Sequence, residues 1–286
     1  MEILNVLEEN MQSEIITLDS HLRVQVYSLG TEEKPTVILL HGLGSTGYSF
    51  DELARLLSFD FRVISLDLPG HGNSSYIHNE QFFSMDSLAN WVKDVVEYFN
   101  ITGFHIVGHS VGGNIGIYFA NKYGSLIKSL VLLDGGYLRG SSLPDNTLKD
   151  EMEMTEQHCK NYCFSSWEDY EENLKSNGFN NELIEMSKKS MKEECGVIKL
   201  KVNAEVAKFI IKNTFHEPTE NILSGIKIPV LLMRSTLPEQ LNVYRQRETK
   251  RLLHHLTTRV VDVNESSHEL YWEQPVHVSK MISNLD

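Results

Sequence analysis

The chain has 286 residues, 41% of them hydrophobic and 23% charged, a length suited to one large domain carrying an inserted sub-domain. Its formal charge of −13 opposes attachment to nucleic acid or an anionic membrane, because phosphate binding needs clustered Lys and Arg. No stretch approaches the ~18 uninterrupted apolar residues of a membrane span. The opening MEILNVLEENMQSE lacks the basic start and apolar run of a secretory signal, so a cytoplasmic protein is expected. Cys159, Cys163 and Cys195 cannot all pair, and no second pair completes a zinc site around the first two. Free thiols in a reducing compartment are expected.

In chain order, IITLD (15–19) and LRVQVYSL (22–29), joined by Ser20-His21, read as an antiparallel hairpin at a sheet edge. Four short apolar runs follow: TVILL (36–40), FRVISLDL (61–68), FHIVG (104–108) and SLVLLD (129–134). Near-continuous Val, Ile and Leu suit parallel strands covered on both faces. Helical patterns separate them at 49–57, 84–100 and 114–124, giving a doubly wound α/β sheet. The rhythm then stops. Residues 137–221 are polar and helical in pattern with no convincing strand, and such a long excursion reads as a lid or cap rather than a loop. It resumes with PVLLMR (229–234), a helix to about 254, RVVDV (259–263) and a final helix. The core is therefore assigned to 1–136 and 222–286.

Gly108-His109-Ser110-Val111-Gly112 fits G-x-S-x-G between a strand and a helix, the setting of a nucleophile elbow. The serine of such an elbow takes a strained backbone, so small neighbours are required. Ser110 is the expected nucleophile, at a helix N-terminus that favours developing negative charge. His41-Gly42-Leu43-Gly44 follows TVILL directly. The amides of Leu43 and Val111 are the candidate oxyanion-hole donors. His41, Gly42, His109 and Tyr137 complete the expected substrate-binding set, with His41 read as a hydrogen-bonder rather than a proton shuttle. In Asp67-Leu68-Pro69-Gly70-His71-Gly72-Asn73-Ser74, His71 is read as stabilising a turn. A serine needs a base, and His268, in the short loop after RVVDV, stands at the same carboxyl edge of the sheet.

The order HGLG, DLPGHGNS, GHSVGG, a helical insert and a late Ser-Ser-His resembles the α/β-hydrolase superfamily, most closely its capped esterase, lactonase and haloperoxidase-like branch. The resemblance covers roughly 25–136 and 222–286. It implies a mostly parallel eight-stranded sheet, helices on both faces and a helical cap inserted after strand six. Glu-Gln-Pro at 273–275 matches the pattern that follows the catalytic histidine. The third triad member departs from it. Most relatives carry an Asp just after the strand following the cap, where this chain reads Arg234-Ser235-Thr236-Leu237-Pro238-Glu239. Glu239 is one candidate acid. Asp134, ending the strand before the cap, is the other and is preferred.

The expected activity is hydrolysis of a small carboxylic ester or lactone through an acyl-enzyme, with a small-molecule substrate as partner and no cofactor or metal. A serine at the elbow argues against epoxide or haloalkane chemistry, whose relatives use Asp there. Thioesterase, carbon–carbon bond hydrolysis, perhydrolysis and a ligand sensor with a retained triad stay open. Cap aromatics Tyr162, Phe164, Trp167, Tyr170, Phe179 and Phe209 are expected mainly to pack, with one or two lining the acyl pocket.

Overall fold

Side chains alternate across a strand, and here both sides of the alternation are apolar. Ile38, Leu40, Ile64, Ile106, Leu130 and Leu132 face one hydrophobic cluster. Their neighbours Val37, Leu39, Val63, Val107, Val131 and Leu133 face another. A sheet with two apolar faces must be covered twice. A computed structural model of the chain, describing residues 11–284, shows that cover. The expectation drawn from the first ten residues about a leader lies outside the described residues.

The strands are β1 (Gln12–Thr17), β2 (Arg23–Leu29), β3 (Thr36–Leu40), β4 (Arg62–Leu66), β5 (Phe104–His109) and β6 (Ile127–Leu133). After an insert carrying β7 (Cys163–Phe164), β8 (Met191–Glu194) and β9 (Val197–Leu200) come β10 (Val230–Ser235) and β11 (Thr258–Val263). Eight of them form one sheet in the order β1-β2-β4-β3-β5-β6-β10-β11. β1 pairs with β2, and β2 with β4, antiparallel; the other pairings are parallel. This is the expected α/β-hydrolase sheet, with the hairpin at its edge.

Helix α1 (Asp51–Leu57) packs on one face through Leu53, Ala54 and Leu57. On the other lie α2 (Met85–Tyr98) and α3 (Val111–Tyr123). The α2 residues Leu88, Trp91, Val92, Val95 and Val96 are buried at i, i+3/4, i+7/8 spacing, the stripe of an amphipathic helix. Ser84 starts this helix by accepting a hydrogen bond from the Ser87 amide.

The insert contains α4 (Leu148–Asn161), α5 (Trp167–Ser176), α6 (Asn181–Lys188) and α7 (Ala204–Thr214), and α8 (Glu220–Gly225) leads from it back into the core. Thr147, Ser166, Asn180 and Asn203 cap the first four through side-chain oxygens, which is why polar sequence there still folds as helix. The sequence pattern predicts no strand in this region, yet β7, β9 and β8 make a small antiparallel sheet. Its strands are two to four residues long, and the charged residues of β8 and β9 hide their alternation. The β8–β9 turn is Cys195-Gly196, both at positive φ (53° and 76°), the conformation that a two-residue hairpin turn requires. Helices α9 (Asn242–His255), α10 (Leu270–Glu273) and α11 (Pro275–Ser283) complete the chain.

Two glycines bring the elbow onto the sheet. A methyl group on Gly112 would lie 2.1 Å from the Leu40 carbonyl oxygen, and one on Gly108 would lie 2.3 Å from the Gly112 oxygen. Gly112→Ala is therefore expected to lower stability by about 1–3 kcal/mol through overpacking. Urea denaturation should show a lower midpoint at unchanged m-value; an unchanged midpoint would contradict the tight approach of α3 to β3.

Candidate active site

Loops at the carboxyl ends of six strands meet here, held by hydrogen bonds. The first links β5 to α3. Ser110 stands between them with φ 53° and ψ −119°, a region that non-glycine residues rarely occupy. Its amide donates to the Leu133 carbonyl at 3.2 Å, and its own carbonyl accepts from Gly113 at 2.9 Å. Both bonds hold the strained residue in place. A methyl group on Gly135 would fall 2.5 Å from the Ser110 nitrogen, so the end of β6 passes directly beside the elbow.

The residue leaving β6 is Asp134, with φ 43°. Its carboxylate is 5% exposed. Oδ2 accepts from His268 Nδ1 at 3.0 Å and from the Ser235 hydroxyl at 2.7 Å. Oδ1 accepts from the Tyr137 hydroxyl at 2.9 Å and the Ser235 amide at 3.3 Å. Burial alone would raise the Asp134 pKa, but its hydrogen bonds and the imidazole bring it down to about 2. Glu239 lies in an exposed turn after β10 and is not brought to the imidazole. Of the two candidate acids, the structure joins Asp134 to His268.

His268 follows β11 in a loop tied down on both sides. Ser266 donates its hydroxyl to the Val263 carbonyl and accepts at its carbonyl oxygen from the Thr236 and Leu237 amides. The Ser267 hydroxyl and amide both donate to the Glu273 carboxylate, at 2.6 and 2.5 Å. The imidazole is half-exposed. Burial presses its pKa down, yet the hydrogen bond and charge of Asp134 outweigh this and leave it raised. The ring of His109, the residue before Ser110, lies 4.6 Å from that of His268.

The loop carrying Leu43 is held from below. His41 donates from Nδ1 to the Gly42 carbonyl at 2.7 Å and accepts at Nε2 from the Leu68 amide at 2.9 Å. His71 donates from Nδ1 to the Pro69 carbonyl and accepts at Nε2 from the Gly44 amide at 3.1 Å. Burial drives the His71 pKa down to about 4 and that of His41 well below its ordinary value, so both rings are neutral and serve as fixed donor–acceptor pairs. Asp67 bridges the same two loops, accepting from the Gly47 amide at 2.7 Å and the Asn73 amide at 2.9 Å. Val111 opens α3, and its amide has no intrahelical carbonyl to bond.

The expected substrate-binding set needs correction. His41 and His109 are buried, and Tyr137 fully so. Tyr137 spends its hydroxyl on Asp134, so it supports the acid rather than walling a pocket. His109 donates from Nε2 to the His268 carbonyl at 2.9 Å and thereby holds the histidine loop. Gly42 leaves no room for a side chain: a methyl group there would meet His109 Nδ1 at 2.9 Å and Ser110 Cβ at 3.1 Å. Sequence reasoning misses Ser235. It stands where relatives' patterns direct attention to an Asp, and its two bonds to Asp134 are visible only once β6 and β10 are seen side by side.

A cavity of about 530 Å³ opens between the core and the insert. Leu43 and Glu269 line it on the core side, while Tyr162, Tyr170 and Phe179 line it from the insert. Phe164 and Trp167 instead pack against Tyr170, and Phe209 packs on Phe83. Cys159 also lines the cavity; Cys163 and Cys195 are exposed free thiols. Among the described residues, no group of three or more His, Cys, Asp or Glu side chains is placed to hold a metal ion. No helix there is long and apolar enough to cross a membrane.

A profile of the alpha/beta hydrolase fold matches residues 35–159. The "Serine hydrolase-like protein" of Danio rerio is 37% identical over 113 residues, 40% of this chain and 34% of that protein. "Epoxide hydrolase 4" of Mus musculus is 30% identical over 116 residues, 41% of this chain and 32% of that one. The chain thus spans about a third of the length of these curated relatives. Among solved structures, E-2-(acetamidomethylene)succinate hydrolase superposes with a TM-score of 0.77 at 19% identity, covering 96% of this chain and 98% of that one, a likeness of fold.

Because the His268 pKa is raised and that of Asp134 lowered, the pair's stabilisation has two pH limits. The Asp134 contribution is present above the ordinary value of 3.8 and is lost as pH falls through about 2. That of His268 is present below its ordinary value and is lost as pH rises through the raised one. In an NMR titration, His268 should titrate above the ordinary histidine value in the native chain and lower in Asp134→Asn, which removes the charge that outweighs burial. Coincident titrations would contradict the pairing.

Proposed function

We propose that this chain, a member of the α/β-hydrolase superfamily, is a serine hydrolase that cleaves a small carboxylic ester or lactone through an acyl-enzyme. Hydrolysis is the chemistry of the family; the finer assignment rests on one observation. A serine held at positive φ on a strand–helix elbow directly follows His109, whose ring lies 4.6 Å from that of His268, and His268 Nδ1 is bonded to a buried carboxylate.

In the proposed mechanism Ser110 Oγ attacks the carbonyl carbon as His268 Nε2 takes its proton. Asp134 accepts from Nδ1, which fixes the tautomer that leaves Nε2 free to accept and stabilises the imidazolium. The Leu43 and Val111 amides donate to the tetrahedral oxyanion. His268 returns the proton to the leaving oxygen, giving an alcohol, or the freed hydroxyl of an opened lactone. Water, deprotonated by the same imidazole, then attacks the acyl carbon and releases a carboxylic acid and free Ser110. A carboxylate nucleophile, as in epoxide-hydrolase elbows, is absent from this position.

Steady-state hydrolysis of p-nitrophenyl esters tests the reading. Ser110→Ala should abolish turnover, Asp134→Asn should lower kcat by about 10³–10⁴-fold, and Glu239→Gln should leave it near the native value. The acid limb of the kcat/KM profile should lie above the ordinary histidine pKa, since only the neutral ring accepts a proton. Turnover that survives Ser110→Ala would overturn the assignment; stoichiometric acylation of Ser110 without turnover would favour a ligand sensor.

A further inference from the structure

Resting on that reading, we infer that the cavity lined by Leu43 and Glu269 accepts a neutral, apolar acyl chain and rejects one that ends in a carboxylate. Its volume of about 530 Å³ lies within the ~300–1,000 Å³ of small-molecule sites, far more than an acetyl group fills. Ser110 and His268 are not among its lining residues. It reaches them through Leu43, on the oxyanion loop, and Glu269, next to His268. An acyl carbon on Ser110 with its oxygen towards Leu43 therefore has this cavity as the space for its chain.

The walls are apolar in two senses. Met154, Tyr162, Leu174, Phe179, Leu200 and Trp272 present carbon surface. Four of the polar groups among them are already bonded within the protein, while Thr46 Oγ1, also in the lining, is buried without a partner. The Tyr170 hydroxyl donates to Ser187 Oγ at 3.0 Å, and Ser187 donates onward to the Ile184 carbonyl at 2.8 Å. Ser190 Oγ donates to the Ser187 carbonyl at 2.7 Å, and Trp272 Nε1 to the Ser49 carbonyl at 2.8 Å. A polar chain entering here would give up water and find these donors occupied. An alkyl chain gains by leaving water.

Charge adds a second filter. Glu151 on α4 and Glu269 on the histidine loop both line the cavity. Glu151 accepts from Asn146 Nδ2 at 2.7 Å, a neutral partner that leaves its charge uncompensated. Among the described residues lining the cavity there is no Lys or Arg, and His158 is the one imidazole. A carboxylate at the far end of an acyl chain would be desolvated against like charge with no cation to receive it.

The test compares p-nitrophenyl octanoate with the mono-p-nitrophenyl ester of octanedioic acid, which differ in the terminal group. The native chain should show a kcat/KM about 100-fold higher for the neutral ester. The double variant Glu151→Gln/Glu269→Gln should narrow that ratio about tenfold. Binding is read separately by saturation-transfer NMR on the native chain, with methyl hexyl ketone and the same ketone ended by a carboxylate; the neutral ketone should bind and the charged one should not. Equal turnover of the two esters, or preference for the charged one, would overturn the inference while leaving Ser110 as nucleophile. If neither ester is hydrolysed the serine-hydrolase reading fails, and the ketone pair still decides the preference of the cavity. Should the double variant not fold, the ester ratio of the native chain decides between acceptance and rejection by itself.

Discussion

The site depends on one backbone constraint: Ser110 must sit at φ 53° and ψ −119° while β3 and the end of β6 close around it. Such a conformation costs on the order of 1–3 kcal/mol and persists only where its surroundings enforce it. The enforcement is steric. Gly112 lies against the Leu40 carbonyl, Gly135 against the Ser110 backbone, and Gly113 against Gly135 and Gly136. Only residues without a side chain allow β3, the elbow and the end of β6 to share this space. Asp134 is the residue next to Gly135, so the packing that strains the serine also delivers the carboxylate. Nucleophile and acid are products of the same close approach.

Histidines at this end of the sheet divide by their partners. His41, His71 and His109 are buried, and burial lowers the pKa of each. Such rings stay neutral and act as rigid hydrogen-bonding struts beneath the Leu43 loop and behind the His268 loop. Burial also presses on His268, but it has Asp134 on Nδ1, and its pKa rises. One residue type thus supplies both the scaffold and the candidate base, separated by the presence of a bonded carboxylate.

Much of this is legible in the sequence because the local signals are strong. Runs of Val, Ile and Leu mark the two-faced strands, and Gly108 and Gly112 around Ser110 mark the elbow. The loop positions of His41, His71 and His268 follow from the strand ends. Contacts between distant strands are not legible. Nothing local to Ser235 announces that its hydroxyl reaches Asp134, since the two meet only when β10 pairs with β6; the Tyr137 contact is local, three residues on, but depends on the turn that Asp134 makes at positive φ. The choice between Asp134 and Glu239 stays open in the sequence for the same reason. The hairpin β8–β9 escapes because its charged residues mask the alternation and Cys195 occupies a turn position that more often holds Asn or Asp.

A covalent trap tests the central claim most directly. The native chain is treated with a fluorophosphonate, and the modified residue is located by peptide mass spectrometry. A single phosphonyl adduct on Ser110 is predicted, formed quickly in the native chain and much more slowly in His268→Ala. An adduct on another residue, or a Ser110 that stays unmodified in the folded chain, would contradict it.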